Sequence, residues 1–321
     1  MTVQELDDRG AVREVEHEIT IAAPAPEVYR LVADVAAWPR VFPPTVHVEH
    51  LERGREQERI QIWATANGEP RTWTSRRTLH PDAGRVTFRQ EVSTPPVASM
   101  GGEWIVEAAP DGGGTRVRLL HDYQAVAGDP AAATWIADAV DRNSRSELAA
   151  LRDTAQRAAS AADLVLSFSD AVVAQGSARD MYDFVSEADR WTERLPHVAA
   201  VELTEPRPGL QTLRMDTRAP DGSTHTTESV RVCFPQERIV YKQTTLPALM
   251  SLHTGYWLFE QAGDVATATS QHTVVLRPEA IAAVLGPDAG VPQAREYVRN
   301  ALGANSRATL GHARDHAERV R

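Results

Sequence analysis

The chain has 321 residues, 42% of them hydrophobic and 24% charged, with a formal net charge of -10, the composition of a globular protein long enough for two domains. The acidic balance argues against unaided nucleic-acid binding, and no apolar run approaches the ~20 residues of a membrane span. The polar opening MTVQELDDRG shows no targeting signal, so a cytoplasmic protein is expected. One cysteine, Cys233, rules out an intrachain disulfide and any multi-cysteine metal centre.

Residues 14–23, EVEHEITIAA, alternate as a strand does, and 24–35, PAPEVYRLVADV, read as a helix with proline near its start. A short helical stretch follows around Trp38. Strands are expected near 45–52, 57–66, 71–80, 84–91, 101–108 and 115–124, divided by turn signals such as NGEP, PDAG and PDGGG. A long helix over 130–158 closes the series, with Trp135, Ile136, Ala139, Val140, Leu148, Leu151 and Ala155 at helical spacing.

The same order then recurs. EVYRLVADVAAWPRVFPP (27–44) returns as DMYDFVSEADRWTERLPH (180–197), setting Trp38 against Trp191 at an offset of 153 residues. RVTFRQ (85–90) and RIVYKQ (238–243) keep that offset, as do GEWIVE (102–107) and GYWLFE (255–260). His121 pairs with His272 at 151, and NSRSEL (143–148) with NSRATL (305–310) at 162, a shift absorbed by a longer connection over 277–295. The chain is thus a tandem duplication of whole domains, 1–158 and 163–321. Each copy is expected to be α+β: an antiparallel sheet curled around its last helix, with a cavity between the two.

Within RTWTSRRTL (71–79), strand alternation puts Trp73, Ser75, Arg77 and Leu79 on one face. A buried guanidinium needs either a carboxylate, for which Glu91, Glu103 and Asp141 are candidates, or an oxygen-rich ligand. The second copy, TTESVRV (226–232), keeps Ser229 and Arg231 but has Thr227 in place of the tryptophan. Its other face, with Val230, Val232 and Phe234, is the more apolar one, which leaves the direction of Arg231 open. His47 and His50 lie three apart in a strand and so face opposite ways, and DGGGT (111–115) lacks the lysine of a phosphate loop; no metal site is expected.

The order strand, two helices, six strands, helix resembles the helix-grip fold of START-like and Bet v 1-like proteins, as does the stretch AAPAPEVYRLVADVAAWPRVFPP. W-x-S-x-R at Trp73, Ser75 and Arg77 resembles the pocket motif of polyketide aromatase/cyclases from bacterial type II polyketide synthases, and NSR in the closing helix fits their di-domain members. The resemblance implies regiospecific aldol cyclisation and dehydration or aromatisation of a poly-β-ketone carried on acyl carrier protein, with other synthase subunits as partners. No cofactor is implied, since this chemistry needs neither nicotinamide nor flavin.

Such chemistry requires a shaped wall, a group that stabilises negative oxygen, and proton transfer. Arg77, permanently charged, suits an electrophile for carbonyl or enolate oxygen; Ser75 suits a hydrogen-bond relay, and His121 a proton shuttle. Ser229, Arg231 and His272 are their counterparts. Trp38, Phe42, Trp73, Phe88, Met100, Trp104, Tyr123 and Asn143 are expected around the first pocket, and Trp191, Tyr241, Trp257 and Asn305 around the second. The plainer readings are that Arg77 is a paired structural cation, that His121 and the tryptophans are core, and that Asn143 and Asn305 are structural helix positions. The first pocket, which keeps Trp73, is expected to be the better equipped. A basic rim from Arg55, Arg59, Arg71 and Arg85 would suit an acidic carrier protein. The alternatives are a noncatalytic START-like carrier of an apolar small molecule, and a pair in which one copy cyclises while the other supports it.

Overall fold

Alternation in the sequence becomes strand pairing in the computed structural model, which describes residues 11–110, 112–157, 162–218, 222 and 224–320. The opening MTVQELDDRG and residues 158–161 of the junction lie outside these. The chain divides into two units, Met1–Ser160 and Ala161–Arg321.

The first unit runs β1 (Arg13–Ile21), α1 (Ala25–Ala33), α2 (Trp38–Val41), β2 (Thr45–Arg53), β3 (Gln57–Ala66), β4 (Glu69–His80), β5 (Arg85–Val92), β6 (Val97–Ala108), β7 (Thr115–Ala125) and α3 (Pro130–Arg157). Its strands form one antiparallel sheet in the order β1-β7-β6-β5-β4-β3-β2. From β2 to β7 neighbours in sequence pair, and β1 pairs with β7 rather than with β2. The sheet's inner face meets α1 and α3, burying Ile21, Val28, Val32, Phe42, Trp104, Leu119, Leu148 and Leu151 in one cluster.

Turn chemistry sets the register that matters for the site. Between β3 and β4 the chain reverses on Asn67 and Gly68, both at positive φ (53° and 81°), the two-residue Asn-Gly hairpin whose twist matches its strands. The register that follows sets Glu58 directly opposite Arg77.

The second unit repeats the plan: β8 (Val165–Gln175), α4 (Ala178–Ser186), α5 (Trp191–Arg194), β9 (Val198–Arg207), β10 (Leu210–Arg218), β11 (Thr224–Phe234), β12 (Arg238–Thr245), β13 (Met250–Ala262), β14 (Val265–Leu276), α6 (Ile281–Leu285) and α7 (Val291–Arg319). Its sheet order, β8-β14-β13-β12-β11-β10-β9, matches the first strand for strand. The expected extra connection contains α6, whose Ile281 packs with Leu249, Met250, Leu276 and Val298. Both units are α+β helix-grip domains.

Candidate active site

A cavity of ≈ 170 Å³ opens between sheet and α3 in the first unit. Trp38, Trp73, Met100, His121 and Asn143 line it as expected, joined by Arg71, Gln90, Trp135, Ser144 and Glu147. Ser75, Arg77, Phe42, Phe88, Trp104 and Tyr123 are not among its lining residues. Phe42 stacks on Trp104 at 5.7 Å within the core. Phe88 packs edge-on against His121 at 5.4 Å, and Tyr123 is buried with Ile136 and Val140.

Arg77 answers its puzzle differently from the expectation. Nη1 lies 2.5 Å from Glu58 Oε1 and donates to the Ala33 carbonyl at 3.3 Å, while Nη2 donates to the Val32 carbonyl at 2.9 Å. Those carbonyls belong to the last turn of α1, where a cation satisfies groups the helix leaves unpaired. The guanidinium also stacks 4.8 Å over Trp38. The carboxylate partner is therefore Glu58, not Glu91, Glu103 or Asp141; Glu58 takes His50 Nε2 at 2.8 Å on its other oxygen. Burial pulls Arg77 down to about 10, against the upward pull of Glu58, so it stays charged at neutral pH. Ser75 donates to the Arg89 carbonyl at 3.1 Å.

The ionisable groups at this cavity are others. Glu147, four residues after Asn143 and hence on the same face of α3, is pushed up to about 7 by burial. His121 is held down to about 4, first by burial and then by the neighbouring His17, and its Nδ1 is buried without a hydrogen-bond partner. Arg71 lies 5.7 Å over Trp135, bridged to Glu69 at 2.5 Å, with Nε buried and unpartnered. Asn143 donates to the Thr65 carbonyl at 3.3 Å. Glu147 escaped the sequence reading, although its spacing from Asn143 was the available signal.

The second unit holds a cavity of ≈ 130 Å³, and Ser229, Arg231, His272, Trp191, Tyr241, Trp257 and Asn305 all line it. Arg231 points inward and caps α4 through a 2.7 Å bond from Nη2 to the Val185 carbonyl, stacked 5.3 Å over Trp191. Opposite it stands Gln211 in place of a glutamate, and Arg231 Nη1 is buried with no partner. The first pocket, expected to be the better equipped for keeping Trp73, has its arginine paired with Glu58, and the arginine with an unpaired donor lies in the second. His253, also missed in the sequence, completes a cluster: its Nε2 lies 3.0 Å from His272 Nδ1, and Tyr241 Oη lies 2.8 Å from the same Nδ1. Ser270 Oγ is 3.1 Å from His272 Nε2. Burial holds both imidazoles well below their ordinary range and raises the Tyr241 phenol.

The expected basic rim is largely neutralised in place. Arg59 pairs with Glu91 and Glu52, Arg71 with Glu69, and Arg85 with Glu103. Among the described residues no helix is long and apolar enough to cross a membrane.

Comparison with known proteins bears on what these cavities do. Residues 12–156 match a family model described as polyketide cyclase / dehydrase and lipid transport, and residues 175–294 match a second model of the same description. The chain is 54% identical over 299 residues to a granaticin polyketide synthase bifunctional cyclase/dehydratase of Streptomyces virginiae, covering 92% of this chain and 97% of that one. It is 48% identical over 315 residues to the actinorhodin polyketide synthase bifunctional cyclase/dehydratase of Streptomyces coelicolor, covering 95% and 97%. Among solved structures, the di-domain ARO/CYC BexL from the BE-7585A pathway superposes with a TM-score of 0.85 at 63% identity, over 95% of this chain and 99% of that one. The di-domain ARO/CYC StfQ from the steffimycin pathway gives 0.81 at 36%, over 95% and 98%.

Proposed function

This chain belongs to the polyketide cyclase/dehydrase family, and from that premise we propose that it closes a ring in a poly-β-ketone held on acyl carrier protein and carries the adduct towards an aromatic ring, in the cytoplasm beside other synthase subunits. The observation that carries this reading is Glu147: a carboxyl at the wall of an aromatic-lined cavity, pushed up to about 7. A base is most effective when its pKa lies near the working pH, and a methylene between two ketones is acidic enough to yield to it.

Glu147 takes that proton. The enolate adds to a ketone further along the chain, forming the carbon–carbon bond, and the alkoxide produced takes the proton from Glu147, which restores the carboxylate. Neutral His121 and Arg71 Nε–H supply donors for the developing oxygen charge, worth most in a dry, fixed site. Trp38, Trp73, Trp135 and Met100 fold the chain so that the two carbons meet. Arg77 acts one layer out, as the positioning cation that holds Trp38 and the end of α1.

Reconstitution with a minimal synthase and its carrier protein tests this. Glu147→Gln is expected to give the unguided mixture formed without the protein. Wild-type products at the wild-type rate would refute the reading.

A further inference from the structure

We infer that the second cavity is a receptor for a small organic anion: a carboxylate on one aromatic ring, its charge against Arg231 and its ring against the tryptophans. Such binding holds whether or not the first cavity closes a ring.

The two copies differ in the charges that accompany their arginines. At the 153-residue offset Gln211 takes the place of Glu58, and at the 162-residue offset of the closing helices Thr309 takes the place of Glu147. Both carboxylates of the first site are thus neutral residues in the second, while the arginine is kept. Gln211 does not replace the lost charge: its Oε1 accepts from Cys233 Sγ at 3.5 Å, and its Nε2 donates to Glu205 at 2.9 Å. Glu205, whose charge reaches Arg231, accepts from the Gly209 amide at 2.7 Å on its other oxygen. Thr309 donates its hydroxyl to the Asn305 carbonyl at 3.0 Å.

Arg231 is left as a buried cation held by one helix carbonyl and one indole face, with Nη1 unpartnered. A guanidinium keeps its proton at neutral pH, and a buried charge is costly until a counter-charge meets it. Among the described residues that line the cavity there is no aspartate or glutamate. Tyr241, His253 and His272 supply no counter-charge either, since they bond one another and burial favours their neutral forms. The cavity therefore carries a permanent positive charge that only an incoming anion can match.

The rest of the wall selects the body of that anion. Trp191, Leu213, Met215, Trp257 and Leu302 line it, and its ≈ 130 Å³ is close to the ~150 Å³ that admits benzene in an apolar core. One ring is the size that fits. Ser229 lines the same cavity, two residues from Arg231 and so on the same strand face, where its hydroxyl can donate to the second carboxylate oxygen. In the first cavity Glu147, which titrates near 7, repels the same ligand once it is ionised.

The test titrates the full chain with benzoate at pH 8 by calorimetry, with benzamide as the uncharged probe of the same shape. Wild type is expected to bind one benzoate per chain at least ~10-fold more tightly than benzamide, the lower end of what a hydrogen bond to a charged group contributes. Gln211→Glu sets the first copy's carboxylate opposite Arg231 and should weaken benzoate binding at least ~10-fold while the melting temperature holds or rises, a combination that misfolding does not produce. Arg231→Gln should bind benzoate and benzamide alike. No saturation of wild type by millimolar benzoate, equal affinity for benzoate and benzamide, or undiminished benzoate binding by Gln211→Glu overturns the proposal. The comparison of the two probes on wild type decides the matter even where a variant fails to fold.

Discussion

Arg77 Nη1 lies 2.5 Å from Glu58 Oε1 in the first domain, whereas the corresponding Arg231 faces Gln211 and keeps one nitrogen unpaired. Two copies of one sequence pattern have therefore divided two roles. Both arginines tie a strand to the end of the domain's first helix, but only one has donor capacity left for a ligand.

For the paired arginine, substitution should be felt as stability. Arg77 and Glu58 are both nearly fully buried, and removing one partner of a buried pair strands the other's charge, at a cost of ~3–5 kcal/mol. Arg77→Ala should lose about that much in urea unfolding, and Arg77→Met combined with Glu58→Gln should recover most of it. An Arg77→Ala protein with the wild-type midpoint and no turnover would show that the pair is not structural.

Much of this pairing was legible in RTWTSRRTL and its surroundings. Strand parity put Ser75 and Arg77 on the inner face, and both are buried. The partner was also within reach: an Asn-Gly turn closing on Ala66 and Glu69 sets Glu58 opposite Arg77 when residues are counted back along both strands. The aromatic wall was harder to read. Phe42 and Trp104 share the patterning of Trp38 and Trp73, and only the packing of α1 and α2 decides which fill the core. Nothing in the sequence singled out Glu147, because its burial comes from the cavity wall, which periodicity does not report.

Gly255 gives a prediction about shape. A methyl group there would meet the Gln271 carbonyl at 2.1 Å and the Tyr241 hydroxyl at 2.7 Å, and neither strand backbone nor a buried ring gives way easily. Gly255→Ala should therefore destabilise the second domain by ~1–3 kcal/mol and shift Tyr241. Unchanged stability would refute the tight approach.

Glu147 predicts opposite pH trends for rate and stability. The folded carboxyl titrates near 7 and the unfolded one near 4.5, so folding favours the protonated form. Its contribution to stability is fully present below 4.5 and drains as pH rises to about 7. Ring closure, which uses the carboxylate, should rise over the upper part of that window and level off above it. Glu147→Gln should match wild type in melting temperature near pH 4.5 and exceed it at pH 8. A variant whose advantage is the same at both values would refute the shift.

The buried histidines set the acid limb. His121 titrates near 4 in the folded protein against 6.5 unfolded, and His253 and His272 are lowered in the same direction by burial. Below 6.5 the unfolded chain takes up protons that the folded chain refuses, so stability present above 6.5 is lost progressively down to about pH 4. Glu147 opposes this between 4.5 and 7, but three imidazoles outweigh one carboxyl, and the net trend is loss on acidification. His121→Gln removes one contributor while keeping a polar side chain at the cavity wall. Its urea midpoint should fall less than that of wild type between pH 7.5 and pH 5. Parallel curves for the two proteins would show that His121 binds its proton as readily folded as unfolded.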